Sequence, residues 1–306
     1  MPTVNSLIAV GSIAYDTLET PFGRRDRALG GSAVHFSLAA NLFTDVGVVG
    51  VVGDDFDGEP VLAERGIDTS GIQVVAGGTT FAWEGRYGFD LNVAETLDTR
   101  LGVFEQFDPQ LSEEQAKAPV LFLGNIVPDL QRSVRKQSQA GFVALDSMNL
   151  WIEIAKDSLL AAIGEVDCVI LNDGEARQLT GESTLAKAAR AISAHGPRII
   201  VIKRGEYGAA LFVDGAFFGV PGYPLEEVFD PTGAGDSFAG GFVGYLAATG
   251  QTEPDVAHLK RAVAYGSIVA SFNVEEFGTE RVQRLTRDEV ETRVGEFHAM
   301  TSFDLG

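Results

Sequence analysis

The chain has 306 residues, a formal net charge of −20 at pH 7 and 45% hydrophobic residues. That length admits one large α/β domain or two ordinary ones, and that apolar content supports a real core and argues against disorder. The acidic balance excludes nucleic-acid binders and binders of anionic membranes, which need a basic face.

The single cysteine, Cys168, cannot form an internal disulfide, which fits a reduced, cytoplasmic setting. The first ten residues carry no basic flank followed by a long apolar region, and no apolar run is long enough to span a bilayer. A soluble cytoplasmic protein is expected.

In chain order, residues 7–10 read as a short strand and residues 13–19 as a second, with a polar turn expected over 23–27. Residues 32–42 form a helix with small and apolar residues all round, for which Ser32 is the expected cap, and 46–52 a fully buried strand. Residues 77–89 alternate Phe81, Trp83 and Tyr87 with polar or small residues, a strand with one aromatic face. From residue 120 strands and helices alternate: strands 120–123, 142–145, 166–171 and 199–202, with helices 130–139, 151–163, one near Glu175, and 185–195. Residues 209–213 and 216–220 form a hairpin turned by Asp214-Gly215. Helices follow over 234–248, 254–272 and 287–297.

This rhythm predicts an α/β fold, a doubly wound, mostly parallel sheet flanked by helices, with ligands at the C-terminal strand edges. The early strands, drawn from about 13–29 and 74–91, are expected to form a small β-sheet lid over the site, or else to extend the main sheet. One domain over 1–306 is expected, with the lid as an insertion.

The chemistry concentrates in Asp230-Pro231-Thr232-Gly233-Ala234-Gly235-Asp236. A glycine turn opening a helix leaves the first backbone N–H groups unpaired and, with the helix dipole, attracts an anion. Asp236 adds a carboxylate beside that hole. A base next to an anion-binding turn is what phosphoryl transfer to an alcohol needs. The plainer alternative is a glycine-cushioned helix start.

The chain resembles the ribokinase-like, or PfkB-type, carbohydrate kinases along nearly its full length. The resemblance rests on Gly11 with Asp16, Gly30-Gly31, the stretch from Val51 to Gly58, Asn172-Asp173-Gly174-Glu175, Lys203-Arg204-Gly205 with Gly208, and the G-A-G-D turn. It implies that Asp236 is the general base and that the backbone of Gly233, Ala234 and Gly235 is the anion hole. It places Asn172 and Glu175 in the Mg2+ and phosphate network, where a helix cap with a first-turn acid is the alternative. ATP is implied as donor, with adenine between residues 203–208 (Lys203, Gly205, Gly208) and residues 263–273. Asp16 and the Gly30-Gly31 pair match acceptor-contacting and lid-closing positions, and Asp230 matches the residue beside a K+ ion in many members. One position departs from the family: His35 stands where an asparagine is common, so the usual sugar-hydroxyl contact is open and a packed helix histidine is the alternative.

The leading expectation is an ATP- and Mg2+-dependent kinase for a small sugar or polyol. A nucleoside kinase is the runner-up, suggested by the aromatic set Phe81, Trp83, Tyr87 and Phe89. A non-catalytic nucleotide or metabolite sensor is a third reading; the absence of a Walker A pattern excludes P-loop kinases, and the lack of G-x-G-x-x-G after the first strand makes a dinucleotide oxidoreductase weaker still. An exposed lid edge would allow a homodimer through the lid.

Overall fold

The computed structural model describes residues 5–91 and 93–302. The chain begins with β1 (Leu7–Val10), β2 (Ala14–Thr20), β3 (Gly23–Gly30), α1 (Ser32–Ala40), β4 (Val46–Gly53), α2 (Glu59–Glu64), β5 (Asp68–Val75), β6 (Phe81–Tyr87) and β7 (Ala94–Arg100). It continues with β8 (Val120–Leu123), α3 (Pro128–Gln137), β9 (Phe142–Asp146), α4 (Asn149–Ile154), α5 (Lys156–Ile163), β10 (Cys168–Asn172), α6 (Asp173–Thr180) and α7 (Leu185–Ser193). The last part holds β11 (Ile199–Lys203), β12 (Ala209–Val213), β13 (Ala216–Val220), α8 (Ala234–Ala248), α9 (Val256–Asn273), α10 (Glu280–Gln283) and α11 (Arg287–Thr301).

Nine strands form the main sheet in the order β13-β12-β11-β10-β9-β8-β1-β4-β5. Every pair is parallel except β11/β12 and β12/β13. Apolar residues cover both faces, as a parallel sheet between helices requires. Leu7, Ala9, Phe122, Ala144, Ile170 and Val201 share one core with α1, α8 and α9. Ile8, Val10, Leu121, Val143, Val169 and Ile202 face the other, with α3, α5, α6 and α7. Strand order reverses at β1 and β8, so a binding crevice opens above their C-terminal ends.

The second sheet, β3-β2-β6-β7, is the lid. Its two hairpins are antiparallel and join through the parallel pair β2/β6. The structure thus has the expected fold class: a doubly wound, mostly parallel α/β sheet with a small β lid.

Several local expectations change. Residues 23–27 lie in β3, and the turn falls at Pro21-Phe22; the charged Arg24, Arg25 and Asp26 are exposed on a lid edge, where such side chains suit a strand with no outer partner. The lid strands span 14–30 and 81–100, because residues 74 and 75 end β5 in the main sheet. Strand β7, Ala-Glu-Thr-Leu-Asp-Thr-Arg, has no apolar alternation and gave no signal. The helix expected over 151–163 breaks at Ala155, whose φ of −144° is not helical. Ser32 does not cap α1: Gly31 holds the cap position, and Ser32 instead accepts the N–H of Ser12 (3.1 Å) while its own N–H donates to the Ser12 hydroxyl (3.0 Å). This serine pair ties the start of α1 to the end of β1.

Candidate active site

Asp146, Asn172 and Lys203 end three neighbouring strands. Asp146 registers with Ile170, and Asn172 with Lys203, so all three project from the sheet face that carries α8. The N-terminus of α8 sits above them.

That terminus is shaped by what lies beneath it. Gly233 is the cap residue, with φ of +72°, a left-handed conformation that suits glycine. Any Cβ there would overlap the ring of His35. The N–H of Ala234 donates to the Pro231 carbonyl (3.2 Å), closing a turn. Those of Gly233 and Gly235 meet no acceptor among the described residues and lie at the positive end of the α8 dipole, an arrangement that can hold an anion.

A buried network supports the turn. Asn273 donates to the Thr232 carbonyl (2.8 Å) and accepts from the Ser237 hydroxyl (2.9 Å). Its Oδ1 also lies 3.1 Å from His35 Nδ1, which fixes the tautomer: Nδ1 carries the proton and Nε2 is bare. Burial drives the His35 pKa down to about 4, with the Asn273 bond opposing. His35 is 1% exposed, so its ring is packed beneath the turn, and its Nε2 has no partner among the described residues. Asp230, fully buried, accepts the N–H of Thr232 (2.9 Å) on one oxygen and that of Gly278 (2.7 Å) on the other, pinning two loops together.

Asp236 lies in the first turn of α8 and its carboxylate makes no hydrogen bond among the described residues. Burial and then the nearby Asp146 raise its pKa to about 7, against the pull of Lys203. Lys203 Nζ donates to Asp146 Oδ2 at 2.8 Å. Asn172 and Glu175 form a reciprocal cap at the start of α6: the Asn172 side chain accepts the Glu175 N–H (2.8 Å), and Glu175 accepts the Asn172 N–H (2.7 Å). Glu175 is nonetheless raised to about 7, mainly by burial.

From the lid, Asp16 reaches the same region. Gly30 has no side chain where the Asp16 carboxylate lies. Burial, followed by Asp230 and Asp236, lifts Asp16 to about 7. Tyr87 closes the lid onto the turn, its hydroxyl accepting from Thr232 Oγ1 at 3.1 Å. Of the other lid aromatics, Phe81 stacks on Phe104, and Phe89 is 90% exposed and outside the site. Trp83 is in register with Asp16 on the inner face. Its indole folds over Gly85, where any Cβ would overlap it, and its Nε1 donates to Thr96 (3.2 Å).

Gly205 and Gly208 lie in the loop after β11, where Gly208 (φ +85°) packs against Val220 and Pro221. Asp146 was missed in the sequence, while Thr232 and Asn273 were named there only as part of the 230–236 stretch and of the 263–273 segment. Asp146 did carry a signal: a lone acid ending the apolar strand Phe-Val-Ala-Leu-Asp, at the edge where such sheets bind ligands.

Residues 104–284 match the pfkB family carbohydrate kinase domain. A cytidine kinase of Thermococcus kodakarensis is 33% identical over 245 residues, covering 78% of this chain and 87% of that protein. Among solved structures, Burkholderia thailandensis nucleoside kinase in complex with inosine superposes with a TM-score of 0.78 at 22% identity, covering 96% of this chain and 98% of the other. A putative ribokinase II from E. coli in complex with ATP and Mg2+ also gives 0.78, at 21% identity, covering 95% and 99%. With a mostly parallel sheet under a small lid, these matches define the class: an ATP-dependent phosphotransferase. The chain belongs to the pfkB family of carbohydrate kinases, whose relatives act on sugars or nucleosides. No helix among the described residues is long and apolar enough to cross a membrane.

Proposed function

We propose that this kinase transfers the γ-phosphoryl group of ATP to the primary ribose hydroxyl of a nucleoside, with Asp236 as general base. The observation that carries the chemistry is the Asp236 carboxylate, which has no hydrogen-bond partner among the described residues and lies one residue beyond the unpaired Gly235 N–H. It takes the hydroxyl proton as the oxygen bonds to phosphorus and the bond to ADP breaks; the N–H groups of Gly233 and Gly235 stabilise charge on the moving phosphoryl. Asp16 accepts hydrogen bonds from ribose hydroxyls. Trp83, whose indole lies against Gly85 beside Asp16, is the platform for a base, which a free sugar would leave unused. The named relatives, a cytidine kinase and a nucleoside kinase with inosine, agree with this choice.

A sugar or polyol acceptor is the second reading, favoured by Asp16 alone, whose carboxylate binds hydroxyls whether or not a base is attached. ATP binds with adenine between the loop of Lys203, Gly205 and Gly208 and the C-terminal part of α9. The donor set fits Mg2+ arriving on the ATP phosphates: Asn172 and Glu175 are oxygen donors, and Glu175 is a buried carboxyl suited to holding a metal-bound water. Bound there, Mg2+ supplies charge neutralisation. For K+, each Asp230 oxygen already accepts one N–H and keeps one lone pair; equal rates in KCl and in a chloride of a bulky organic cation would remove that ion from the reading. A homodimer through the exposed edge of β7 is tested by sedimentation.

The test is ATP-to-ADP turnover with Mg2+ against separate pools of nucleosides, sugars and polyols, with Asp236→Asn alongside. Turnover on nucleosides, lowered about a thousandfold in Asp236→Asn while ATP still binds, is the expected result. Turnover confined to free sugars would sink the nucleoside assignment, and an active Asp236→Asn would sink the base.

A further inference from the structure

Lys203 sits where a cation is least welcome. A Cβ on Gly235 would lie 2.9 Å from Lys203 Nζ, so the ammonium lies directly beneath the first turn of α8, at the positive end of its dipole. Its side chain is only 15% exposed. Asp146 offsets this cost through the 2.8 Å ion pair, and Asp146 is itself held firmly. Its Oδ1 accepts the Ser147 N–H (2.8 Å), and its carbonyl accepts from Gln131 Nε2 (2.9 Å).

An ammonium has three N–H donors, and Asp146 is the only acceptor Lys203 has among the described residues. Two donors therefore remain, in a half-closed space under the unpaired N–H of Gly235. A fixed cation with unused donors beside an anion hole is complementary to phosphoryl oxygens.

We propose that Asp146 is a positioning residue for phosphoryl transfer: it holds the Lys203 ammonium beneath Gly235, so that its two free N–H donors meet the oxygens of the moving phosphoryl group. The proposal rests on the kinase reading above. Preorganised donors act where charge develops in the transition state, so losing the anchor lowers kcat. Ground-state binding responds in the opposite sense, because removing a negative charge next to an anion site favours the anion. A merely structural defect would weaken both.

The experiment uses the full chain with Asp146→Asn, Lys203→Met and the double variant. Turnover is measured on the acceptor the parent uses, and binding of inorganic tripolyphosphate by calorimetry. Asp146→Asn is expected to lower kcat about 10- to 100-fold while binding tripolyphosphate as tightly as the parent or more tightly. Lys203→Met is expected to bind it at least about tenfold more weakly. In the Lys203→Met background, Asp146→Asn should change kcat by less than about twofold, since the anchored group is gone. Asp146→Glu, which keeps the charge but displaces the ammonium, should also lower kcat and serves if Asp146→Asn does not fold.

A kcat of Asp146→Asn equal to the parent's, an equal loss with and without Lys203, or weakened tripolyphosphate binding in Asp146→Asn would each overturn the proposal. A parent that turns over no acceptor refutes the kinase reading instead, and the binding comparison then judges the Asp146 proposal alone.

Discussion

At the residue scale the site is a meeting of carboxyl groups that resist ionisation. Asp16, Glu175 and Asp236 are each raised to about 7, first by burial. A base must be ionised to act, and a raised pKa means that its ionised form is lost as pH falls through about 7. The pH profile of kcat/KM should therefore fall on the acid side with a midpoint near 7 and a slope of at least one; a flat profile down to pH 5 would contradict the assignment. His35 works in the reverse direction. Its folded pKa of about 4 lies below the ordinary 6.5, so the fold favours the neutral ring. That stability is present above pH 6.5 and is lost as pH falls towards 4. Between pH 7 and pH 5 the parent should lose about 2 kcal/mol more unfolding free energy than His35→Gln, measured by urea titration at both values. Matching pH dependence in the two proteins would mean that the ring is not buried neutral.

At the element scale, the start of α8 depends on α1 and α9 behind it. Gly233→Ala would place a methyl group into the His35 ring and force alanine into a left-handed conformation. It should cost on the order of 3 kcal/mol in stability and about a hundredfold in kcat, read from thermal unfolding and from turnover at saturating ATP; near-parental values would show that the turn is not held by this contact. Legibility divides along the same line. The turn was readable because Gly233, Ala234, Gly235 and Asp236 are contiguous and their chemistry is local. Asp146 was not, because its meaning arises only when β9 and β11, on either side of β10, bring it to Lys203. Likewise the parallel strands announced themselves through apolar runs, whereas β7 is exposed along its length and owes its conformation to pairing with β6. The Ser32 cap failed for a third reason: a partner twenty residues away, Ser12, claimed the hydroxyl.

At the scale of the whole molecule, the lid is fastened to the body by Arg27. Its guanidinium lies 3.8 Å over the Tyr15 ring and donates to Asp57 Oδ2 (2.8 Å) and to the Asp55 carbonyl (2.6 Å), while Tyr15 bonds to the same Asp57. Arg27 has φ of +52°, uncommon for a residue with a Cβ. Exposed pairs contribute little singly, but this one combines stacking with two hydrogen bonds. Arg27→Ala should raise the acceptor KM about fivefold, equivalent to about 1 kcal/mol, with kcat within twofold; unchanged KM would show that the latch does not govern lid closure.

The placement of β1 also governs how the protein is made. Leu7 is hydrogen-bonded into the sheet between Val46 and Val120, and Ala14 in the lid is in register with Phe81. On a ribosome, β1 therefore waits for the chain to reach residue 123 before both its edges are covered. Contacts so distant in sequence slow folding and leave apolar surface open in the interval. Asp16 and Gly31 are synthesised early, but Asp236 joins them only some two hundred residues later, so a chain cut short of α8 would carry the lid and the proposed acceptor contacts without the proposed base.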